Sequence, residues 1–391
     1  MNIFMKRANE LKEELVQTRR ELHSIPEIMT DLPVTTKYVK EKLIEIGLEP
    51  KEIIKSGLVA TIGGKKPGKT ILLRADMDAL DMKEESGLDF ASKTQYAHTC
   101  GHDLHTTILL GAAKMLKERE DEIEGTVKLM FQPGEEYFIG AKAMIDAGVL
   151  ENPKVDAALG MHVMLNGPVG SIGYQHGYTL SSVDGFKITI KGKGCHGAMP
   201  EKGIDPINVG VHVYLALQEL ISREVSAFDN AIITLGQFAA GTVANIIPDT
   251  CVLQGTMRTY GKELREYLFN RMQEVIDLTC KTYRASFEYE VLSDVPSLYT
   301  NPELLDEMLG YIDEMGEDFT LIKDSRATPT DDFAFITERV PSVHFQFNCK
   351  VQDERGAFPQ HHPKVVFDEN VLPIGSAVIA QCAFNWLKNN K

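Results

Sequence analysis

No stretch of the chain approaches the roughly 18 to 20 uninterrupted apolar residues that cross a bilayer, so a membrane-spanning protein is not expected. The opening residues, Met1-Asn2-Ile3-Phe4-Met5-Lys6-Arg7, lack a hydrophobic signal core and a cleavage site. Cysteine is scarce: six residues scattered over 391 do not make a disulfide framework. A reduced, cytoplasmic protein is expected. Positive charge is in deficit, with Lys+Arg 41 against Asp+Glu 56 and a net charge of −15. Phosphate backbones need clustered Lys and Arg, and no such run is present, so nucleic acid is not an expected partner. Low-complexity tracts, Pro/Gly/Ser linkers and repeats of about 20 to 50 residues are also missing.

What is there suits a sizeable core. Hydrophobic residues make up 43% of the chain, and at about 150 residues per domain the length suggests two or three domains. The first half alternates helical and extended patterns. Helices are expected over residues 6–23, 34–46, 106–117 and 141–147, and strands over 58–62, 70–74, 127–131 and 157–162. Such alternation argues for an α/β sheet covered by helices. The middle has another rhythm: strands at 186–191, 231–238, 251–258 and 287–291, with helices at 207–222 and 262–282. The order β-α-β-β-α-β is that of the split, ferredoxin-like unit. Helices and strands then resume, with a strand at 342–347 and a closing helix over 373–388. The expected architecture is a discontinuous catalytic α/β domain, residues 1–180 and 292–391, with a mixed sheet covered by helices. A smaller α+β domain, residues 181–291, is inserted into it.

The densest chemistry lies at His98-Thr99-Cys100-Gly101-His102-Asp103-Leu104-His105. Cys, His and carboxylate are the ligands of zinc-like ions, and the glycine between Cys100 and His102 permits a tight turn aiming both at one centre. The plainer alternative is Asp103 capping the following helix among surface histidines. Gln132-Pro133-Gly134-Glu135-Glu136 follows an apolar strand, where adjacent carboxylates can divide metal binding from proton transfer. A Glu-Glu pair is ordinarily solvated surface, but strand ends of α/β sheets are where such sites lie. His162 ends another apolar strand, and His361-His362-Pro363 stands near the C-terminus; either could be a hydrogen-bonded core histidine instead. Asp76 and Asp78 end a third strand, where aspartates also form turns. Each signal is modest singly; together they cluster on loops after strands.

Two other readings fail. Gly192-Lys193-Gly194-Cys195-His196-Gly197 matches the letters of a dinucleotide fingerprint, but the following Ala198-Met199-Pro200-Glu201 does not open a helix for a pyrophosphate. Cys100 and His102 as nucleophile and base would be two residues apart, poorly placed to face each other, and would leave the other clusters idle.

Taken together these motifs resemble the metal-dependent amidohydrolases of the aminoacylase and carboxypeptidase superfamily. The branch is that of hippurate hydrolases, N-acyl-amino-acid deacylases and indole-acetyl-amino-acid hydrolases. The resemblance spans nearly the whole chain. It runs from Arg19-Arg20-Glu21-Leu22-His23 and Pro26-Glu27 through Arg74–Leu80, Cys100–His105, Gln132–Glu136 and His162. It continues through His196, Gly241–Pro248 and Gly255-Thr256-Met257-Arg258 to His361-His362-Pro363.

The resemblance implies a pair of divalent ions held by Cys100, His102, Glu136, His162 and His361, with Glu135 as general acid/base. Cysteine ligation leans towards zinc, with manganese, cobalt and nickel open. It also implies that the inserted domain is a lid or dimerisation domain in a homodimer. There His196 would approach the oxyanion, and Asn245 and Arg258 would hold the substrate carboxylate. Some positions depart from the pattern. Asp76-Met77-Asp78 stands where other branches carry His-x-Asp, Gly134 where alanine is usual, Asp331-Asp332-Phe333 for Glu-Asp-Phe, and Asn348 where glycine is common. The expected reaction is hydrolysis of the amide of a small N-acyl amino acid. A dipeptidase or carboxypeptidase of the same mechanism, and a non-catalytic metal- or ligand-binding relative, are the alternatives. A free Glu135 beside a metal ligand argues against the last.

Overall fold

A computed structural model describes residues 2–391. The chain forms two units: one runs to Thr179 and adds Tyr299–Arg326 and Asp331–Lys391, and the other comprises Leu180–Leu298 with Ala327–Thr330. The second unit extends past residue 291 because its last long strand, Ser286–Val295, stays paired to Val183–Lys191 as far as Val295↔Val183.

The first unit is built on a mixed eight-stranded sheet. Its strands lie in the order Lys51–Ile54, Gly57–Gly63, Thr126–Gln132, Thr70–Asp76, Ala157–Met164, Ser342–Asn348, Ser171–Gly173, Thr320–Ile322. The four central strands are parallel to one another. Three of them, Thr70–Asp76, Thr126–Gln132 and Ser342–Asn348, are buried at every residue. A parallel sheet covered on both faces requires such near-continuous burial. Parallel register also brings chain positions far apart to a common edge: Asp76 pairs with Gln132, and Gln346 with His162.

Two expectations are corrected here. The helix anticipated over 6–23 is two helices, Ile3–Glu10 and Lys12–His23, meeting at the buried Leu11. The helix anticipated from 106 begins at His102, so His102, Asp103 and His105 lie in its first turn and not on a loop before it. Asp103 is also no cap: its carboxylate pairs with Arg19 at 2.7 Å and His23 at 2.8 Å. Polar residues on a wholly buried first turn conceal the helical period, because their partners are other elements and not water.

The second unit has a four-stranded antiparallel sheet in the order Ala231–Ala240, Thr250–Thr259, Val183–Lys191, Ser286–Val295. The helices Pro206–Glu224 and Lys262–Thr282 pack on it through Val209, Val213, Leu217, Leu268, Met272 and Ile276. Every third or fourth residue is apolar there, the stripe an amphipathic helix needs. Among the described residues no helix is long and apolar enough to cross a membrane.

Candidate metal centre

The candidate residues of the first unit meet at the C-terminal edge of its parallel strands. Gly101 takes a φ of 102°, and a Cβ there would lie 2.5 Å from Val163 Cγ2. Only glycine permits so close an approach in the left-handed region. That turn brings Cys100 Sγ to 3.3 Å from His162 Nε2. His162 Nδ1–H donates to the Val163 carbonyl at 2.6 Å, and His102 Nδ1–H donates to the Asp78 carbonyl at 2.8 Å. With one nitrogen so committed, each ring presents Nε2 to the cluster, the arrangement that orients metal-binding histidines.

His102 Nε2 faces Glu136 Oε1 at 3.8 Å and Glu135 Oε2 at 3.9 Å, and His361 Nε2 lies 3.5 Å from Glu136 Oε1. Cys100, His102 and His162 form one group with ligand atoms within 4.8 Å of one another; Cys100, Glu136 and His361 form another; His102, Glu135 and Glu136 a third. Within this set His102 Nε2 and Glu136 Oε1 are buried without a hydrogen-bond partner. Buried polar atoms are seldom left so, and a cation would satisfy both.

Asp78, whose role the motif left open, accepts the Glu135 and Glu136 backbone N–H groups at 3.0 and 3.1 Å, one on each oxygen. It therefore holds the carboxylate pair in place. His105 is fully engaged: Nδ1–H donates to Asp76 at 2.6 Å, and Nε2 accepts from the Val163 N–H at 2.8 Å. His362 is turned to its own loop, stacked on Phe358 at 4.6 Å and accepting from the Lys364 N–H at 3.1 Å.

Arg74 escaped the sequence reading as a site residue. Its wholly buried guanidinium lies 2.8 Å from Asp76 and 3.0 Å from both Asp331 and Asp332, and Nε donates to Gln132 at 2.9 Å. The signal was an arginine inside the apolar strand Thr70–Asp76, which buried strands do not carry without a partner.

The electrostatics divide the cluster. Burial lowers His162 and His361, and Arg74 outweighs burial to hold Asp76 and Asp331 below the usual carboxylate range, while three other groups move up. Burial and then Asp331, Glu136 and Asp332 push Glu135 well above the usual carboxylate range. Burial also lifts Glu136 to about 7, although His102 opposes it. Burial works against a charged His102, but Asp76, Asp78 and Glu136 outweigh it and raise the ring to about 10. These three groups hold protons more tightly because carboxylates outnumber cations around them.

The remaining sequence candidates lie in the second unit. His196 is exposed on the short strand Cys195–His196, paired to Ile246, and the Asn245 carbonyl accepts the Gly197 N–H at 2.8 Å. These two share one loop edge. Arg258 is half-buried and donates to Thr330 Oγ1 at 3.0 Å. His196 follows the loop that Asp249 holds through Gly192 and Gly194 at the Thr250 end of the strand Thr250–Thr259. Arg258 is near its other end, about 26 Å of strand from Thr250 at ~3.3 Å per residue.

The model of peptidase family M20/M25/M40 matches residues 72–385. The chain is 35% identical to an N-acetylcysteine deacetylase of Bacillus subtilis, over 94% of this chain and 96% of that one. It is 34% identical to thermostable carboxypeptidase 1 of Saccharolobus solfataricus, over 96% and 95%. Its fold matches a Bacillus subtilis dinuclear metal binding peptidase of the M20 family with a TM-score of 0.85, at 33% identity, covering 97% of this chain and 99% of that one.

Proposed function

The chain belongs to peptidase family M20/M25/M40, and we propose that it hydrolyses the amide bond of N-acyl amino acids. Cys100, His102, Glu136, His162 and His361 would hold two divalent ions, and Glu135 would be the general acid/base. One observation carries this reading: the ligand atoms of the five residues fall into interlocking groups in which His102 Nε2 and Glu136 Oε1 are buried without partners. The donor set of thiolate, imidazole and carboxylate suits zinc, with manganese, cobalt and nickel as alternatives. Its similarity to a dinuclear metal binding peptidase supports a count of two. All six cysteines are free, which suits a reducing cytoplasm.

Ions bound there would lower the pKa of water and polarise the amide carbonyl. Glu135 is buried beside Glu136 and is held by its backbone on Asp78. It takes the proton as the water oxygen attacks the carbonyl carbon, then delivers it to the nitrogen as the C–N bond breaks. A carboxylate kept from solvent and surrounded by other carboxylates is basic enough for that task.

His196 is assigned to the oxyanion, and Asn245 and Arg258 to the substrate carboxylate. His196 lies on a two-stranded ribbon beyond the Thr250 end of the strand that carries Arg258 near its other end, so the two are assigned to different copies of the second unit. A two-fold dimer can supply one from each copy. The edge strand Ala231–Ala240 carries no charge and exposes Ile232 and Phe238, an edge suited to a second copy.

The test is a panel of N-acetyl, N-benzoyl and indole-acetyl amino acids beside dipeptides, with metal-loaded and chelated protein. Hydrolysis of the N-acyl compounds, lost on chelation and restored by added ions, is expected. Preference for dipeptides would favour the carboxypeptidase reading that the second relative suggests. No turnover of either would leave a binding protein.

A further inference from the structure

Gln360 precedes His361, and its side-chain Nε2 donates to two carbonyls, Cys100 at 2.8 Å and Val163 at 3.0 Å. Both partners are acceptors, so only the amino end of the amide can face them. Val163 O is the same oxygen that fixes the His162 ring. One amide thus joins the backbone beside Cys100, the backbone beside His162 and the segment bearing His361.

His361 has need of such a tie. Its φ of 61° is one that residues other than glycine seldom adopt, and its side chain is 52% exposed. His102, by contrast, is wholly buried and held by Asp78. The His361 N–H gives one further anchor, donating to the Thr99 carbonyl at 3.0 Å. On its other side His362 is committed to Phe358 and Lys364 within the same loop, and contributes no tie across to Cys100 or His162.

We infer that Gln360 is a positioning residue: its two-donor amide holds the His361 loop in register with Cys100 and His162, and so sets the cluster's affinity for a divalent ion. This rests on the reading of those side chains as metal ligands. Residues that orient ligands without touching the ion typically change its affinity about 10- to 100-fold. Met at position 360 removes both donors at similar length, and Glu sets an acceptor against two carbonyls.

The experiment strips the full-length protein with chelator and titrates it with cobalt(II) in competition with a chromophoric chelator. The thiolate-to-cobalt absorption band reports Cys100. Gln360→Met and Gln360→Glu should each bind cobalt(II) about 10- to 100-fold more weakly while keeping the thiolate band. Gln352→Glu, whose amide reaches only the Lys350 carbonyl, should not change binding. In a His361→Ala background most of the Gln360→Met effect should vanish, since the residue acts through His361. Unchanged affinity in both Gln360 variants, or an equal fold loss with and without His361, overturns the proposal. A parent protein without a thiolate band, or a band that survives Cys100→Ser, overturns the ligand reading itself and the proposal with it.

Discussion

Arg74→Met should be among the most damaging single changes in the first unit. Methionine keeps much of the volume but removes the one cation that contacts Asp76, Asp331 and Asp332 together. Each aspartate keeps another partner: Asp76 has His105, Asp331 accepts the Phe333 N–H at 2.8 Å, and Asp332 accepts from Gln132 at 2.7 Å and the Ala141 N–H at 2.9 Å. The loss is therefore not three full desolvation penalties but nearer the ~3–5 kcal/mol of breaking one buried ion pair. Against a total stability of about 5–15 kcal/mol that is a large share. At roughly 2–4 °C per kcal/mol it corresponds to a fall of about 6–20 °C in the unfolding midpoint. Trp386, the one tryptophan, is 4% exposed on the helix Val371–Asn389 of this unit, so its fluorescence reports the right transition. The measurement uses metal-free protein, because bound ions would add stability of their own. Without Arg74 the aspartates should have folded-state pKa values raised above the unfolded ones. The folded state then binds more protons, and the deficit should shrink as pH is lowered from 7.5 to 5.5. A midpoint within 1 °C of the parent, or a deficit that grows on acidification, would refute the reasoning.

Glu135→Gln should keep its metal content by elemental analysis yet lose roughly 10²–10⁴-fold in kcat, as expected for a general acid/base. Near-parental turnover with an inactive Glu136→Gln would exchange the two roles. Mixing inactive Glu135→Ala and His196→Ala chains under demonstrated subunit exchange should restore about a quarter of parental activity, since half the dimers are mixed and each rebuilds one of two sites. No recovery would mean that His196 does not act across a dimer. Gly101→Ala places a Cβ against Val163 Cγ2 at a φ of 102°, so ion binding measured by chelator competition should weaken and the unfolding midpoint should fall by at least about 1 kcal/mol equivalent. An unperturbed variant would show that the turn is not constrained as described.

Much of the fold was legible because its signals are local. The apolar runs at 127–131 and 157–162 mark buried parallel strands, and Lys262–Thr282 repeats its apolar residues at helical spacing. The short strands Lys51–Ile54, Ser171–Gly173 and Thr320–Ile322 were not legible, since three or four residues are too few for alternation to show. In the site, residue types announced Cys100, His102 and Glu135-Glu136. Partnerships did not announce themselves: Arg74 meets Asp331 across 257 positions, and nothing in either segment names the other. His105 looked as ligand-like as His102. Only the Val163 N–H and the Asp76 carboxylate, both distant in sequence, show that its nitrogens are already engaged.

The division of labour proposed for the two adjacent glutamates rests on their neighbours and not on their chemistry. Asp78 pins both backbone N–H groups with the two oxygens of one carboxylate, and both side chains come within 3.9 Å of His102 Nε2. Both glutamates share a group with His102; beyond it, Glu136 is grouped with Cys100 and His361, and Glu135 with Asp331 and Asp332, which are themselves anions. Five carboxylates, those of Asp76, Asp78, Glu135, Asp331 and Asp332, are buried and Glu136 is nearly so, and one guanidinium, that of Arg74, pairs with three of them. Such an excess of negative charge is untenable in a poorly solvated interior. Arg74 relieves part of it by holding Asp76 and Asp331 below the usual carboxylate range, but burial lifts Glu136 and Asp332 to about 7, and neighbouring carboxylates lift His102 to about 10. In the proposed reading, divalent ions would offset this charge, held by Glu136 with Cys100, His102, His162 and His361. Glu135, flanked by Asp331 and Asp332, would keep a proton affinity raised by burial and those anions. A proton carrier needs that affinity, and a ligand does not.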